Sequence, residues 1–523
     1  MFACKMIRAF LFFFCCLVFP LIGLSQSKTG SWGDQGNGTF INPVLYADYS
    51  DPDVIRVGDL YYMVCSEFHF MGMPVLQSED MVNWKIIGRI YTGLNFPEYN
   101  ANQRYAGGSW APTIRYHDKK FWVYFCTPDE GLFMSTAQRP EGPWTPLVQV
   151  KKVPKWEDPC PFWDEDGKAY LGHSLHGAGP IIIHRLSADG TQLLDSGFTV
   201  YTGPVAEGTK IHKWNGFYYI SIPEGGVGEG WQTVLRSKNI YGPYEKKVVL
   251  EKGSTPINGP HQGALVATPK GEWWFYHFQS DGAMGRVLHL QPVSWQDGWP
   301  LIGVDIDRNG IGEPVYVWKK PDVGTSFPIS APQTDDDFNR GQLGLQWQWN
   351  HNPVDEAWSL TQRPGWLTLK ALKAETFLQA HNTATQKIMG TIGEAVTEMD
   401  VRNIAEGQKA GLCVMSKAYG LIGVRKKEGK LYLFFDQNGE GYKEQNIAAN
   451  TIYFKVQLNI KENKNQFYYS LDHKTFVPFG SSFVARWGYW KGSRIGLFSY
   501  NELGDGGEAA FNWFRYDYDG PKG

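Results

Sequence analysis

Three carboxyl residues open segments built on one plan. Asp51 begins Asp-Pro-Asp-Val-Ile-Arg-Val-Gly-Asp-Leu-Tyr-Tyr, Asp158 begins Asp-Pro-Cys-Pro-Phe-Trp-Asp-Glu-Asp-Gly, and Glu207 begins Glu-Gly-Thr-Lys-Ile-His-Lys-Trp-Asn-Gly-Phe. Segments from Ala111 and His261 follow the same plan: a short apolar strand, a turn with Gly or Asp, then an aromatic-rich strand. Each reads as a β-hairpin. Carboxyls gathered in a partly buried place are costly, because burial and mutual repulsion both oppose ionisation. Capping of strands, as Asp-Pro does at turns, is their bland use. Their chemical use is cleavage of a glycosidic bond. One carboxyl protonates the leaving oxygen, a second activates water or attacks, and a third tunes the acid by its charge. Metal-assisted hydrolysis is the rival chemistry, but the trio has one nearby His and no metal-ligand spacing.

The elements that must position these residues follow from the repeat. The segments recur at intervals of roughly fifty residues, the length of one four-stranded propeller blade. Five units predict a five-bladed β-propeller over residues 26–320; a large β-sandwich accounts for strands and turns but not for the shared plan. The innermost strand of each blade runs along the axis, so Asp51, Ala111, Asp158, Glu207 and His261 are expected at one mouth of the channel. Asp53, on the same strand face as Asp51 if the pairing is regular, is expected either at that mouth or just behind it in support of the residues there.

Composition agrees with an all-β protein. The 523 residues suffice for two or three domains, and they include 21 Trp, 27 Tyr, 31 Phe, 59 Gly and 30 Pro. Fifty basic against 53 acidic residues give a net charge of −3, with no basic stripe to bind nucleic acid. Lys5 and Arg8 precede an apolar run from Ala9 to Leu24, which reads as a signal peptide, residues 1–25, rather than a membrane anchor. An exported protein, periplasmic or secreted and without a membrane span after cleavage, is the expectation. Cys65, Cys126, Cys160 and Cys413 are widely spaced and read as core residues.

The chain resembles glycoside hydrolase family 43. The matching runs are Asn42-Pro-Val-Leu, Ser50-Asp-Pro-Asp-Val-Ile-Arg-Val-Gly-Asp-Leu-Tyr-Tyr, Ser78-Glu-Asp-Met-Val-Asn-Trp84, Trp110-Ala-Pro, Glu157-Asp-Pro, Ala206-Glu-Gly, Glu224-Gly-Gly and the stretch from Arg286 to Trp299. The resemblance implies an inverting mechanism, with Asp51 as general base, Glu207 as general acid and Asp158 tuning and orienting the acid. It also implies an arginine, Arg286, directed at sugar hydroxyls, although a blade salt bridge is an equal use. His261 matches an axial histidine that holds water or calcium, a satisfied core His being the alternative; no cofactor is otherwise required. Trp110, Phe68 and Phe70 are candidate apolar walls against a sugar face, with blade packing as the competing use of the two phenylalanines. Two departures from the family pattern lie around the pocket: the loop Ser66-Glu-Phe-His-Phe-Met-Gly-Met-Pro, and Glu157 where an apolar residue is common.

Residues 321–335 read as a linker and 336–523 as a jelly-roll β-sandwich, with alternating strands such as Phe454 to Ile460 and Leu431 to Phe435. This resembles the C-terminal sandwich of exo-acting family members, which packs on the propeller. Trp347, Trp349, Trp358 and Trp366 are expected in its core, with a glycan platform as the alternative. The resulting expectation is an exo-glycosidase releasing terminal α-L-arabinofuranosyl units from plant cell-wall polysaccharides or oligosaccharides (arabinoxylan, arabinan or xyloglucan side chains). A β-D-xylosidase or a bifunctional enzyme stands second, and a non-catalytic glycan-binding propeller third.

Overall fold

The computed structural model describes residues 29–101 and 103–522. The expected signal peptide, residues 1–25, lies outside the described residues. Among the latter the α-helical content is one five-residue helix, Pro97–Ala101, and no helix is long and apolar enough to cross a membrane.

Five four-stranded antiparallel units follow one another. Blade 1 runs from Asp53–Val57 to Trp84–Arg89, blade 2 from Trp110–His117 to Val148–Lys151, and blade 3 from Trp156–Trp163 to Phe198–Tyr201. Blade 4 runs from Lys210–Trp214 to Glu245–Leu250, and blade 5 from His261–Ala267 to Trp299–Ile302. The first strands of blades 1 to 4 touch in order, and that of blade 5 touches that of blade 1, which closes the ring. The two ends of the domain are also tied together. Thr39–Ile41 pairs with Val317–Lys319, and Leu45–Asp48 adds to the third strand of blade 5. Asn42 completes the clasp: its amide donates to the carbonyls of Leu290 (2.9 Å) and Val315 (2.8 Å) and its oxygen accepts the Leu290 N–H (2.9 Å).

The backbone corrects the phase of the repeat. A left-handed residue stands at the inner edge of every blade: Asp51 (φ 52°), Ala111 (φ 35°), Asp158 (φ 57°), Gly208 (φ 66°) and Gln262 (φ 44°). Glu207 and His261 are therefore equivalent to Glu157 and Trp110, one residue earlier than the alignment of their segments with Asp51 and Asp158 predicts. The left-handed residue breaks the alternation of the strand, and the ladders of blades 2, 3 and 5 are bulged at the same place. Two consecutive side chains can thus face one pocket where a regular strand would send one of them away. Gly208 is required there. A Cβ would lie 2.5 Å from Pro223 Cδ and 2.8 Å from Gln262 Oε1.

The second domain is two packed sheets. One has seven strands, Gln348–Trp349, Thr383–Lys387, Arg494–Asn501, Gln408–Met415, Tyr419–Lys427, Lys430–Gln437 and Gly441–Ile447, with Leu372–Lys373 added in parallel beside Arg494–Asn501. The other runs from Trp358–Ser359 through Glu508–Tyr518 and Ile392–Asp400 to Val477–Pro478. Thr451–Asn459 shows the pattern that builds such a sandwich, with Ile452, Phe454, Val456 and Leu458 buried and their neighbours less so. Trp347 and Trp349 are core residues, while Trp358 packs on Trp349 and Trp366 lies under the Arg363 guanidinium.

The domains share a buried interface, and Phe70 belongs to it. Its ring packs with Phe377, Met415 and Phe434 of the sandwich and lies 4.0 Å below the Arg494 guanidinium. It does not line the pocket, contrary to the expectation for a sugar-facing wall.

Candidate active site

Asp51, Asp158 and Glu207 meet in a cavity of about 320 Å³ at one end of the propeller axis, together with Glu157, Trp110, Phe68 and Arg286. Asp51 is held by three side chains. Arg286 Nη1 lies 3.0 Å from its Oδ1, and the hydroxyls of Ser50 (2.9 Å) and Ser66 (2.6 Å) donate to Oδ2. The Ser66 oxygen in turn accepts the Ala111 N–H at 2.7 Å, so blade 2 fixes the hydroxyl that fixes Asp51. Arg286 lines the cavity and pairs with Asp51, the salt bridge that is one of the two uses expected of it. Asp53 does not stand at the mouth. It is buried between blades 1 and 2, with Arg115 Nη1 at 2.7 Å and the Ile114 N–H at 2.8 Å.

On the facing side, Asp158 Oδ2 accepts the Ser174 hydroxyl (2.8 Å) and the Gly208 N–H (2.7 Å), and Oδ1 accepts the Gln262 amide (3.0 Å). The Gly of Ala206-Glu-Gly thus has a second task, since its amide ties blade 4 to the Asp158 carboxyl. Glu207 Oε1 lies 2.7 Å from His261 Nε2. His261 is therefore engaged with the carboxyl cluster, while its buried Nδ1 has no hydrogen-bond partner. One oxygen each of Glu157, Asp158 and Glu207 lie within 4.8 Å of one another, the one group of this kind among the described residues whose spacing could suit a cation.

Such crowding redistributes protons. Burial, then the charges of Asp158 and Glu207, push Glu157 up to about 9. Burial and the Glu207 charge push Asp158 up to about 6, against the pull of the Gly208 amide and the Ser174 hydroxyl. Glu207 moves the other way: burial alone would raise it, but the His261 hydrogen bond and charge, with Arg286 and His176, outweigh burial. The sequence predicts that Asp158 keeps Glu207 protonated; the shifts run the other way, up for Glu157 and Asp158 and down for Glu207, within a coupled set that titrates as a group. Both raised carboxyls bind protons more tightly folded than unfolded. Their contribution to stability is therefore complete at acid pH and is lost as pH rises, first through about 6 for Asp158 and then through about 9 for Glu157. Glu157→Gln removes the second loss. Melting curves of the two proteins should therefore diverge in favour of the variant from about pH 4.5 to about pH 9 and run parallel above that.

The pocket walls come from both domains. Trp110 and Phe68 lie on the propeller side, edge to face at 6.0 Å. Trp490 is contributed by the sandwich, its ring 5.8 Å from the Arg286 guanidinium. Nothing in the local sequence around Trp490 signals this. Lys491 follows it into a buried ion cluster beneath the site, 3.0 Å from Glu67 and 3.5 Å from Asp48, and Asp48 Oδ1 accepts the Arg286 N–H at 2.9 Å.

A closed ring of five blades with an acid cluster at its axis defines a carbohydrate-cleaving enzyme, and comparison with known proteins gives the family. Residues 40–300 match the family described as glycosyl hydrolases family 43, and residues 335–517 match the beta xylosidase C-terminal concanavalin A-like domain. The chain is 57% identical to a protein of Xylanibacter ruminicola over 90% of its own length and 88% of the relative's. It is 42% identical to a beta-xylosidase of Formosa agariphila (96% and 94% covered) and 33% identical to a non-reducing end alpha-L-arabinofuranosidase of Bacteroides ovatus (68% and 69% covered). A solved family-43 protein from Bacillus licheniformis superposes with a TM-score of 0.81 at 29% identity, covering 92% of this chain and 99% of that one. The chain belongs to glycosyl hydrolase family 43.

Proposed function

We propose that the protein is an inverting β-D-xylosidase that removes single xylosyl units from the non-reducing ends of xylan-derived oligosaccharides. Asp51, oriented by Arg286, Ser50 and Ser66, is the base that takes a proton from the attacking water. Glu207 delivers a proton to the leaving oxygen, drawing on the set it shares with Glu157 and Asp158, and Asp158 orients that set through Gly208 and Gln262. The observation that carries the reading is the placement of Asp51 and the Glu207 cluster in one small pocket with Trp490 at its wall, a shape suited to a chain end.

A beta-xylosidase relative at 42% identity over nearly the whole chain supports xylose over arabinose. This reverses the order expected from sequence, where the α-L-arabinofuranosidase stood first, and leaves that activity as the second reading. Export guided by residues 1–25 belongs to the same proposal.

The test is kcat/KM on p-nitrophenyl β-D-xyloside and p-nitrophenyl α-L-arabinofuranoside with residues 26–523. Xyloside should be preferred by at least tenfold, a discrimination of the size that a few hydroxyl contacts supply. A preference for arabinofuranoside would overturn the sugar assignment, and cleavage of neither glycoside by the folded protein would overturn the glycosidase reading.

A further inference from the structure

We infer that Glu157 is a specificity-determining residue, whose carboxyl hydrogen-bonds a hydroxyl of the sugar seated between Asp51 and Glu207. The inference rests on the proposed glycosidase reading and adds a role toward the sugar for a residue which that reading uses only as a member of the proton-sharing set. A regular strand would turn Glu157 away from its neighbour Asp158. The left-handed Asp158 and the bulge between Glu157 and Cys160 turn both into the cavity instead. Blade equivalence points the same way, because Glu157 occupies in blade 3 the position that Trp110 holds in blade 2 and Glu207 in blade 4, and all three line the pocket.

The carboxyl is placed for a ligand rather than for the fold. Glu157 is 7% exposed, yet its polar contacts are few and weak: the Ala178 N–H reaches Oε1 at 3.3 Å, and His176 Nδ1 stands 3.5 Å from Oε2. Buried carboxyls ordinarily fill their hydrogen-bonding capacity, and this one keeps most of it open toward the cavity. The segment that presents it is fixed, since the His176 N–H donates to the Lys155 carbonyl at 2.8 Å and Trp110 packs on the His176 ring at 5.0 Å. The charged or titratable groups acting on Glu157 are Asp158 on its own strand, Glu207, Asp51, the Cys126 thiol and His176. Burial, and then the acids among them, favour the neutral carboxyl up to about pH 9. A neutral carboxyl can donate one hydrogen bond and accept another, which suits a sugar hydroxyl, itself donor and acceptor.

The experiment compares wild type, Glu157→Gln and Glu157→Leu on both p-nitrophenyl glycosides from pH 6 to pH 10, with melting curves to establish folding. Product binding is followed in parallel as the melting shift produced by xylose. The expected result is a KM for the xyloside raised roughly tenfold in Glu157→Leu, with kcat changed less and the xyloside-to-arabinofuranoside ratio altered. Glu157→Gln, which keeps a donor and an acceptor, should lose less. The wild-type KM should climb above pH 9, and that of Glu157→Gln should not. The xylose shift should shrink in Glu157→Leu. An unchanged KM, ratio and xylose shift in Glu157→Leu would overturn the inference. So would activity abolished by EDTA and restored by calcium, which would make the three carboxyls a cation site. A wild type inactive on both glycosides would instead sink the glycosidase reading, and the xylose shift would still decide the role of Glu157.

Discussion

Asp51→Asn should abolish turnover of aryl xylosides and xylo-oligosaccharides alike, whereas Glu207→Gln should spare the aryl substrate far more. In the proposed mechanism the two carboxyls act on opposite sides of the bond. Activation of water by Asp51 is needed whatever departs, so its loss should cost about 10³-fold in kcat on every substrate. Help from Glu207 matters only in proportion to how badly the leaving group needs a proton. A sugar alkoxide needs it fully, so Glu207→Gln should lose about 10³-fold on xylobiose. p-Nitrophenolate leaves without protonation, so the loss on the aryl xyloside should be smaller by at least tenfold. Ratios of kcat/KM for the two variants on the two substrates measure transition-state effects directly. Equal losses for Glu207→Gln on both substrates would remove the acid role from that residue. Substantial activity in Asp51→Asn would remove the base. Melting curves should accompany both variants, because Asp51→Asn keeps an acceptor for Ser50 and Ser66 but leaves the buried Arg286 guanidinium without its anionic partner, whereas the Glu207 side chain makes its hydrogen bond to His261 alone.

The meeting of Asp51, Asp158 and Glu207 in one pocket is legible in the sequence because blades repeat and acids at repeated positions stand out. The phase of the repeat is less so. Its structural marker is a left-handed backbone, and that place is filled by Asp, Ala, Asp, Gly and Gln in the five blades, with no shared side chain to align. The slip matters, since only the corrected phase reveals that Glu157 and Glu207 are counterparts. Alternation along a strand failed at the same place for a physical reason: a bulge and one positive φ put Glu157 beside Asp158, and Asp53 is drawn from the mouth by Arg115. Phe68 and Phe70 look alike in sequence and are two residues apart, but one faces the cavity and the other the sandwich. What separates them is the partner surface, contributed by residues more than 300 positions away. Trp490 was illegible for the same reason. In contrast, a sandwich strand such as Thr451–Asn459 announces itself locally, because one wet face imposes alternation.

The second large effect is expected at the buried ion cluster between the domains, and it follows from the cost of an uncompensated charge. Glu67 is fully buried, with Lys387 Nζ at 2.6 Å, Lys491 Nζ at 3.0 Å and Arg494 Nη1 at 3.8 Å. Burial alone would raise its carboxyl, but the three cations outweigh burial and hold it ionised. On the other side of the balance, burial pushes Lys387 down to about 8 even with the Glu67 charge beside it. In Glu67→Gln three cations would face only Asp48, and loss of one partner from a buried pair typically costs about 3–5 kcal/mol. A denaturant titration should show that loss. Adding Lys387→Met should recover part of it, because the second change removes one of the stranded charges; a double-mutant cycle should thus be strongly non-additive. The effect should also reach the active site. Ser66, the donor to Asp51, directly precedes Glu67, its carbonyl accepts from Lys491 Nζ at 3.1 Å, and Trp490 is the next residue along from that lysine. Under conditions where Glu67→Gln remains folded, kcat should therefore fall as well, by more than KM changes. Additive stability losses, or an unchanged kcat, would show that the cluster cements the domains without holding the base in place.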